Sequence, residues 1–504
     1  MSYLCSGPTL RYWPVTTPGV EDLSAFPGGK LRVYRKFPAT ALVAAFVLFL
    51  AGLHSAQAQS ATVNWSNVHQ QIDGFGASDA FQGQSMSSAN QSFFFGNGSG
   101  QLGLSILRVE VSSNSGSAPG DCSSVGTSCA GVYVSDMKAA VANGARVYAS
   151  PWSPPAQYTT NGSVNCQSGG GNGALSSSSY GAYATWLSNF VQSVGAQGVN
   201  LYAISVQNEP DMCMTYDSAL WTGSQIDTFV KSNLGPTFAA QGLSTLIFAP
   251  EASSYSSTVN LGSTCAGDSS CNQYVGGVNW HEYGTSFNST SSIGANPYPS
   301  AWPTGKKYWE TEASCGNGFG PSFCEQGFNT DINDALNWAS IVDQRIAVDG
   351  ATAWLYWWLV EGSPSDDESL SDGGSNIAKR AYMLGQYSKF VRPGYYRIDA
   401  THQPQQGVSV SAYNDAGSNT LVIIATNYNS SSVSQQFSVS NAPSFSSMTP
   451  TTTSASLSLA AQSSVNLSNN SFTYTLPANS ITTFVGKSAA GPSAPTKLTG
   501  TLVQ

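Results

Sequence analysis

Charge is what this sequence has least of. Only 9% of its 504 residues are charged, and 19 Lys and Arg stand against 28 Asp and Glu, for a formal net charge of −9. No basic run is long enough to follow a nucleic-acid backbone, so we expect no nucleic-acid partner. The abundant Gly, Ser, Asn and aromatic residues are instead typical of a secreted, weakly charged enzyme rather than of a disordered or coiled-coil protein.

Motifs for metals and cofactors are missing as well. The sequence has no C-x-x-C pair and its four His are scattered, so a zinc site is a weak alternative. No G-x-G-x-x-G turn follows the first predicted strand, which argues against a nucleotide-binding sheet. We therefore expect neither a metal nor a cofactor.

Residues 1–58 are predicted to form an export-signal region. Four basic residues at 30–36 precede an apolar stretch at 39–53, and 56–58 reads Ala-Gln-Ala, a small-residue cleavage site. A membrane span needs about 20 apolar residues, more than this stretch offers, although an uncleaved anchor is the alternative. We expect a secreted protein, extracellular or periplasmic, that is monomeric and free of the membrane after cleavage.

Export fits the eight cysteines that follow the signal. Sequence spacing favours three close pairs, which leave two cysteines for a fourth pair, although spacing does not prove connectivity. The expected pairs are Cys122 with Cys129, Cys265 with Cys271, Cys315 with Cys324, and Cys166 with Cys213.

Between residues 71 and 390 the sequence alternates short apolar strands with amphipathic stretches. Eight strands are predicted at 72–77, 103–111, 146–152, 201–209, 245–251, 277–283, 307–312 and 351–359. Helices are predicted between them at 134–143, 180–196 and 331–348. Eight such units in roughly 310 residues predict an α/β fold, a closed (β/α)8 TIM barrel. A doubly wound open sheet is the alternative.

Residues 391–487 show a different pattern, in which apolar and polar residues alternate between Asn, Ser and Gly turns. Strands are predicted at 406–413, 420–427, 432–439, 455–459 and 471–485. They predict a side β-sandwich, which the early strand at 62–68, within the segment 59–70, would complete from the other chain end. Residues 488–504 are linker-like.

Two predicted barrel strands end at carboxylates, Glu209 and Glu312. Carboxyl ends of barrel strands open on one face, which carries the chemistry of such folds. Two acids facing each other there predict glycosidic bond cleavage. A surface-turn role is the alternative for Glu209. Glu310 shares the predicted strand face with Glu312, but Glu312 lies nearer the open end and is favoured.

Aromatic residues at strand ends are the candidates for stacking on sugar rings. We expect Trp152, Tyr283 and Trp358 to bind substrate, whereas many other rings would simply pack the core. Arg108 and His281 are ionisable groups inside strands. Each is predicted either to contribute to the substrate site, Arg108 by holding the nucleophile ionised, or to have a buried structural role.

Several segments together resemble glycoside hydrolase family 30, most closely its bacterial glucuronoxylanases. They are 73–76, 101–108, 149–152, 200–211 and 390–397, and the resemblance extends from about 63 to 485. It implies a barrel with a side sandwich from both chain ends, a retaining mechanism and no metal. By motif, Glu209 matches the acid/base, Glu312 the nucleophile, Asn208 the partner of the sugar 2-hydroxyl, and Tyr283 the residue that orients the nucleophile.

The sequence departs from the glucuronoxylanase pattern after the eighth strand. Where an arginine loop would bind glucuronate, the sequence has Val360 and Glu361, followed by further acids. We therefore expect an endo-β-1,4-xylanase that acts on a β-linked polysaccharide without needing glucuronate. The alternatives are an endo-β-1,6-galactanase, a glucosylceramidase-like exo-β-glycosidase, and a carbohydrate-binding protein with a decayed active site, which the presence of both carboxylates disfavours.

Overall fold

The computed structural model describes residues 60–111, 113, 120–283, 293–315, 324, 327–362, 367–374 and 376–488. The predicted signal region at 1–58 and nearly all of the predicted tail at 488–504 lie outside these residues. Among the described residues, no helix is both long and apolar enough to cross a membrane.

Eight parallel strands form a closed barrel, which confirms the predicted fold. The first strand of the chain, β1 (Ala61–Gln71), lies outside it. The barrel strands are β2 (Gly74–Ser78), β3 (Ile106–Val111), β4 (Arg146–Pro151), β5 (Leu201–Ser205), β6 (Leu246–Phe248), β7 (Val275–His281), β8 (Lys307–Glu312) and β9 (Ala353–Val360). They are hydrogen-bonded in chain order, and β8 pairs with β9 while β9 pairs with β2, so the sheet has no free edge there. A short strand, β10 (Ser369–Ser371), pairs in parallel with β9.

Helices occupy the connections between the barrel strands. The described α-helices are α1 (Ser88–Phe95), α2 (Thr127–Ala130), α3 (Val134–Ala142), α4 (Tyr180–Ala196), α5 (Gly223–Phe229), α6 (Gly235–Ala240), α7 (Tyr255–Gly267), α8 (Ser269–Asn272), α9 (Ile332–Asp343) and α10 (Lys379–Ser388). Short 3₁₀ turns lie at Ala156–Tyr158 and Ser177–Ser179, and π-helical turns at Val230–Leu234 and Gln344–Val348. The predicted helices at 134–143 and 180–196 match α3 and α4, and 331–348 matches α9 with its π-helical continuation.

The lower part of the barrel interior is packed with apolar side chains. Its buried cluster comprises Ile106, Tyr148, Ala203, Phe248, Trp309, Ala353 and Leu355. The rings of Phe248 and Trp309 meet edge to face with centroids 4.9 Å apart. Gly277 makes room for this pair, because a Cβ there would lie 2.4 Å from the Phe248 ring. The interior is therefore a filled core below the open end, as in other barrels of this size.

A small ionic group lies at the amino-terminal end of the barrel strands. The buried Asp73 carboxylate accepts hydrogen bonds from Arg146 at 2.8 Å, Lys307 at 2.7 Å and the Trp309 indole at 2.9 Å. Both cationic side chains are about one quarter exposed. This group ties β2, β4 and β8 together at the end opposite the pocket described below.

The remaining strands form a second, curled sheet. They are β11 (Tyr396–Ala400), β12 (Val408–Asp415), β13 (Thr420–Asn427), β14 (Val433–Ser440), β15 (Ser447–Thr453), β16 (Ala460–Ala461), β17 (Val465–Asn466), β18 (Ser471–Leu476) and β19 (Ser480–Lys487). Strand β1 lies between β11 and β14 in the order β16-β15-β19-β13-β12-β11-β1-β14-β18. Phe484 of β19 contacts Phe437 of β14 and Phe472 of β18, at 5.3 Å each, so distant strands face each other across one core. Both chain ends thus build the side sandwich, as predicted.

Some predicted strands of the sandwich were wrong. Residues 455–459 contain no strand. The strand β15 (Ser447–Thr453) lies just before them in the chain and was not predicted. Its apolar content is low and it contains Pro450, which disfavours a strand prediction, yet it pairs with β19 through residues 449–453. The predicted strand 471–485 is two strands, β18 and β19, separated by a turn in which Asn479 has φ 44°. Strand β11 was not predicted.

The four predicted disulfides are all present. They join Cys122 to Cys129, Cys166 to Cys213, Cys265 to Cys271, and Cys315 to Cys324. The second of these links the loop after β4 to the loop after β5, and so restrains one wall of the pocket.

Candidate active site

Glu209 lies on a loop rather than on a strand. β5 ends at Ser205, four residues earlier than the predicted strand 201–209, and Glu209 has a left-handed backbone with φ 42°. Its N–H donates to the Glu251 carbonyl at 2.9 Å, and its carbonyl accepts from the Met212 N–H at 2.9 Å. These bonds hold an unfavourable conformation in place, and such conformations cluster at functional sites.

Glu312 ends β8, and a β-bulge separates it from Glu310. In the pairing of β7 with β8, Trp280 lies opposite Glu310 but His281 lies opposite Glu312, so one extra residue is accommodated in β8. Because Trp280 and His281 point to opposite faces, Glu310 and Glu312 do too. The predicted shared face was therefore wrong. The buried Glu310 carboxylate instead accepts from the N–H groups of Glu312 at 2.8 Å and Leu355 at 3.3 Å.

The carboxylates of Glu209 and Glu312 face each other across one pocket. One oxygen of each, together with a ring nitrogen of His281, lies within 4.8 Å of the others. His281 Nδ1 is 3.0 Å from Glu209 Oε1 and 3.7 Å from Glu312 Oε1. Both glutamates are slightly exposed, at 9% and 6%, whereas His281 is fully buried. Glu209 and Glu312 therefore both line the pocket, and the His281 imidazole that contacts them is buried beneath it.

Glu312 is held by two further side chains. The Tyr283 hydroxyl donates to Glu312 Oε1 at 2.9 Å, and Arg108 forms an ion pair with Glu312 Oε2. Tyr283 is also 3.1 Å from the Ser314 hydroxyl. Both oxygens of Glu312 therefore have fixed partners, which sets the orientation of the carboxylate.

Arg108 lies below the pocket and does not line it. The fully buried guanidinium donates to the Asn208 side-chain oxygen at 2.6 Å and lies 3.2 Å from Glu251 Oε1. Its carbon is 4.5 Å from the centre of the Trp152 ring, a cation–π contact. Asn208 is also buried, and the hydrogen bond from Arg108 orients its side-chain amide. Arg108 and His281 thus support the residues that line the pocket.

Burial and neighbouring charges shift the pKa values of Glu209 and His281. Burial raises the pKa of Glu209 above the ordinary value, against the opposing effect of the nearby His281. Burial alone would lower the pKa of His281, but Glu312, Glu209 and Glu251 around the ring raise it to about 10. Glu209 is thereby suited to hold a proton while His281 stays cationic.

The pocket has a volume of about 540 Å³ and an aromatic wall. Trp152, Tyr283 and Trp358, the three rings selected from the sequence, all line it, together with Phe81 and Trp357. Trp357 and Trp358 lie nearly parallel with centroids 5.0 Å apart, and the Trp358 indole donates to the Ala80 carbonyl at 2.8 Å. Rings fixed in this way offer flat apolar faces to a sugar.

Other lining residues were missed from the sequence. Met212, Met214 and Tyr216 follow Glu209 on the same loop and form another part of the wall. The signal in the sequence is their proximity to Glu209, whereas the spacing of Cys213, which lies between Met212 and Met214, predicts only a disulfide. Phe81 had no signal, since its place depends on a positive φ of 62° after β2.

The charged residues that line the pocket are all acidic. They are Glu209, Glu312 and Glu368, and among the described lining residues none is Lys or Arg. Glu368 precedes β10 and its carbonyl accepts from the Trp358 N–H at 3.1 Å. Glu361, singled out from the sequence, is not among the lining residues, and residues 363–366 of that acidic stretch lie outside the described residues.

Two groupings of potential metal ligands occur among the described residues. One is Glu209, His281 and Glu312; its atoms are engaged by the hydrogen bonds and ion pairs given above. The other is Asp227 with Cys265 and Cys271, but those cysteines are joined in a disulfide. Neither grouping requires an ion to explain it.

A (β/α)8 barrel with two opposed carboxylates in an aromatic pocket defines the class of barrel glycoside hydrolases. The chain belongs to glycosyl hydrolase family 30: the model of that family's TIM-barrel domain matches residues 132–389.

Relatives in this family share most of the chain. It is 34% identical over 441 residues to the glucuronoxylanase XynC of Bacillus subtilis strain 168, covering 85% of this chain and 92% of the relative. It is 26% identical over 305 residues to an endo-1,6-β-D-glucanase of Neurospora crassa, covering 56% and 58%. The solved structure of the family 30 subfamily 8 xylanase Xyn30A from Clostridium acetobutylicum superposes with a TM-score of 0.71 at 31% identity, covering 85% of this chain and all of that one.

Proposed function

We propose that the protein is a secreted, retaining endo-β-1,4-xylanase that does not depend on glucuronate side groups. In this proposal Glu312 is the nucleophile and Glu209 the acid/base. Trp152, Tyr283, Trp358 and Asn208 contact the substrate, and Arg108 and His281 act from beneath it.

The reaction follows from the two carboxylates. Glu312 attacks the anomeric carbon and forms a glycosyl ester, while Glu209 gives its proton to the departing glycosidic oxygen. Glu209, now ionised, takes a proton from water, and that water's oxygen displaces Glu312 from the anomeric carbon. The product keeps its anomeric configuration, and Glu209 is protonated again.

The observation that carries the proposal is the separation of these carboxylates. Retaining enzymes place them about 5 Å apart, whereas inverting enzymes leave room for a water at ~6.5–9.5 Å. One carboxylate oxygen of Glu209 lies within 4.8 Å of one carboxylate oxygen of Glu312. This separation supports direct attack by Glu312 on the anomeric carbon. Tyr283 and Arg108, which fix both Glu312 oxygens, support its role as the nucleophile.

The charge of the pocket supports a neutral substrate. Glu368 adds a third carboxylate among the lining residues, and a glucuronate branch bound near it would meet repulsion rather than a cation. The relatives named as xylanases support xylan as the backbone. Four disulfides support passage through an oxidising compartment, as expected for an exported enzyme.

Incubation with five polysaccharides tests the proposal: linear xylan, arabinoxylan, glucuronoxylan, β-1,6-galactan and β-1,6-glucan, with products measured by mass spectrometry. We expect mixed xylo-oligosaccharides from linear xylan, at rates no lower than from glucuronoxylan. Initial products that carry the β configuration in NMR would support retention. Strict dependence on glucuronate, or cleavage of a β-1,6-glycan alone, would overturn the substrate assignment.

A further inference from the structure

We propose that Glu251, a third buried carboxylate, is a positioning residue whose negative charge keeps the group beneath the pocket electrically neutral throughout the reaction. The inference rests on the roles proposed for Glu209 and Glu312. It adds a residue that touches neither the substrate nor the pocket surface.

Glu251 is built into the floor below the pocket. It follows β6, has a left-handed backbone with φ 59°, and is fully buried. Its carboxylate accepts hydrogen bonds from the Tyr148 hydroxyl at 2.6 Å and the Ser150 hydroxyl at 2.9 Å, and it lies 3.2 Å from Arg108 Nη2. Burial alone would raise the pKa of Glu251, but Arg108 and His281 lower it to about 2. The two cations therefore favour the anionic form of Glu251.

Two links connect Glu251 to Glu209. The Glu251 carbonyl accepts the Glu209 N–H at 2.9 Å, so Glu251 helps to hold the left-handed backbone of Glu209. His281 lies between their carboxylates, with Nδ1 3.0 Å from Glu209 Oε1 and Nε2 3.6 Å from Glu251 Oε1. A charge on Glu251 thus acts on Glu209 through one imidazole.

The charges of the five buried groups balance at both stages of the reaction. Before attack, Glu251 and Glu312 are anionic, Arg108 and His281 are cationic, and Glu209 carries a proton. In the glycosyl ester Glu312 is neutral and Glu209 is the anion, so the sum is again zero. A neutral sum avoids the large penalty of an uncompensated charge in a buried site.

Other ionisable groups face this cluster and would be unchanged in the test. Tyr148 from β4 and Tyr283 after β7 contact Glu251 and Glu312, respectively. The Glu310 carboxylate on β8 accepts from the Glu312 N–H, and burial raises the pKa of Glu310 well above its ordinary value, which favours its neutral form. Asp211 on the Glu209 loop raises the pKa of Glu209, and the Tyr216 ring lies in the field of Glu209, Glu312 and Glu368. The difference between variants therefore isolates position 251.

Three variants test the balance: Glu251→Gln, His281→Gln and the double variant. The alkaline limb of the pH profile of kcat/KM reports the proton on Glu209 in the free enzyme. Glu251→Gln leaves one excess positive charge, so this limb should move down by about one pH unit or more. His281→Gln leaves one excess negative charge and should move it up. The double variant restores a zero sum and should return the limb toward the wild-type position.

A purely structural role for Glu251 predicts a different result, because two damaging substitutions would then add rather than cancel. An unmoved limb in Glu251→Gln, or a double variant further from wild type than either single one, would overturn the proposal. Asp334→Asn is the matched control, since it removes a buried carboxylate paired with Arg380 between α9 and α10, and should leave both limbs in place.

One measurement requires no substitution at 251. Nitrogen NMR of the wild-type enzyme, with His281 assigned by comparison with His281→Gln, should show an imidazolium at pH 6.5, and a neutral ring would overturn the proposal.

The activity of Glu209→Gln and Glu312→Gln separates the proposed function from the proposed role of Glu251. If both variants keep normal turnover, the proposed function fails. If both are inactive and the limb of Glu251→Gln is unmoved, this inference alone fails.

Discussion

The two ends of the barrel interior each contain an ionic group, and they differ in access to water. At the closed end Asp73 is buried, but its partners Arg146 and Lys307 keep about a quarter of their side chains exposed. At the open end Arg108, His281 and Glu251 are fully buried, and only the carboxylates of Glu209 and Glu312 reach the pocket.

This difference determines what each group can do. At the closed end one carboxylate paired with two partly hydrated cations joins three strands. Three carboxylates that share two buried cations cannot all be ionised without leaving a net charge, and in the mechanism proposed above the proton that is retained lies on Glu209. We therefore expect the closed end to stabilise the fold and the open end to hold the proton that the proposed reaction transfers.

The largest expected effect is on turnover at the open end. Glu312→Gln and Glu209→Gln should each lower kcat by about 10³-fold or more, because each removes a group that makes or breaks a bond. The free energy of unfolding, measured with urea, should change far less. An aryl xyloside whose leaving group needs no proton should recover part of the first step in Glu209→Gln but not in Glu312→Gln. Near-normal turnover in either variant would contradict the assignment.

At the closed end the reverse outcome is expected. Asp73→Asn should lower the free energy of unfolding by about 2 kcal/mol, because it leaves Arg146 and Lys307 without their shared anion. kcat/KM should stay within about twofold, since this group lies at the far end of the barrel. Asp399→Asn, in an exposed pair with His69 at 3.7 Å, is the control and should change stability by less than ~0.5 kcal/mol. A large loss of activity in Asp73→Asn would break the contrast between the two ends.

The pH dependence of stability sharpens the comparison further. The pKa of His281 rises to about 10 in the folded protein from an ordinary 6.5, so its stabilising contribution is complete below pH 6.5 and is lost as the pH rises toward 10. The stability difference between wild type and His281→Gln should therefore shrink by about 1 kcal/mol or more over that range. His69→Gln should show no such decline, since burial lowers the pKa of His69. Urea unfolding at pH 6, 8 and 9.5 measures both.

The smallest effect is expected at the pocket rim. Glu368→Gln should raise the rate on glucuronoxylan relative to linear xylan a few fold at low salt, because a repulsive charge is removed. The gain should fade at high ionic strength, which screens the wild-type repulsion. Asp372→Asn, an acid at the other end of β10 that is not among the lining residues, should leave the ratio unchanged. An unchanged ratio in Glu368→Gln would remove this residue from the explanation of specificity.

Much of the site could be predicted from the sequence because its parts are local. The apolar strands before Glu209 and Glu312 have a strong pattern, and parallel strands in a barrel must open on one face. Trp152, Tyr283 and Trp358 were selected because they end such strands, and all three line the pocket. The eight cysteines paired as their spacing indicated.

Other features depend on contacts between distant residues. The β-bulge that separates Glu310 from Glu312 arises in the pairing of β8 with β7, and a period of two cannot reveal it. Pro450 lies in β15, which is next to the edge of the curled sheet and pairs on its outer side only with the two-residue strands β16 and β17.

The sequence by itself therefore determined the barrel, the side sandwich, the disulfide pairs and the two acids, since periodicity and spacing are properties of neighbouring residues. Tertiary structure alone decided that Arg108 of β3, His281 at the end of β7 and Glu251 after β6 meet beneath those acids. The reason is physical: the charge state of a buried group depends on every charge around it, and those charges come from positions up to 204 residues apart in the chain.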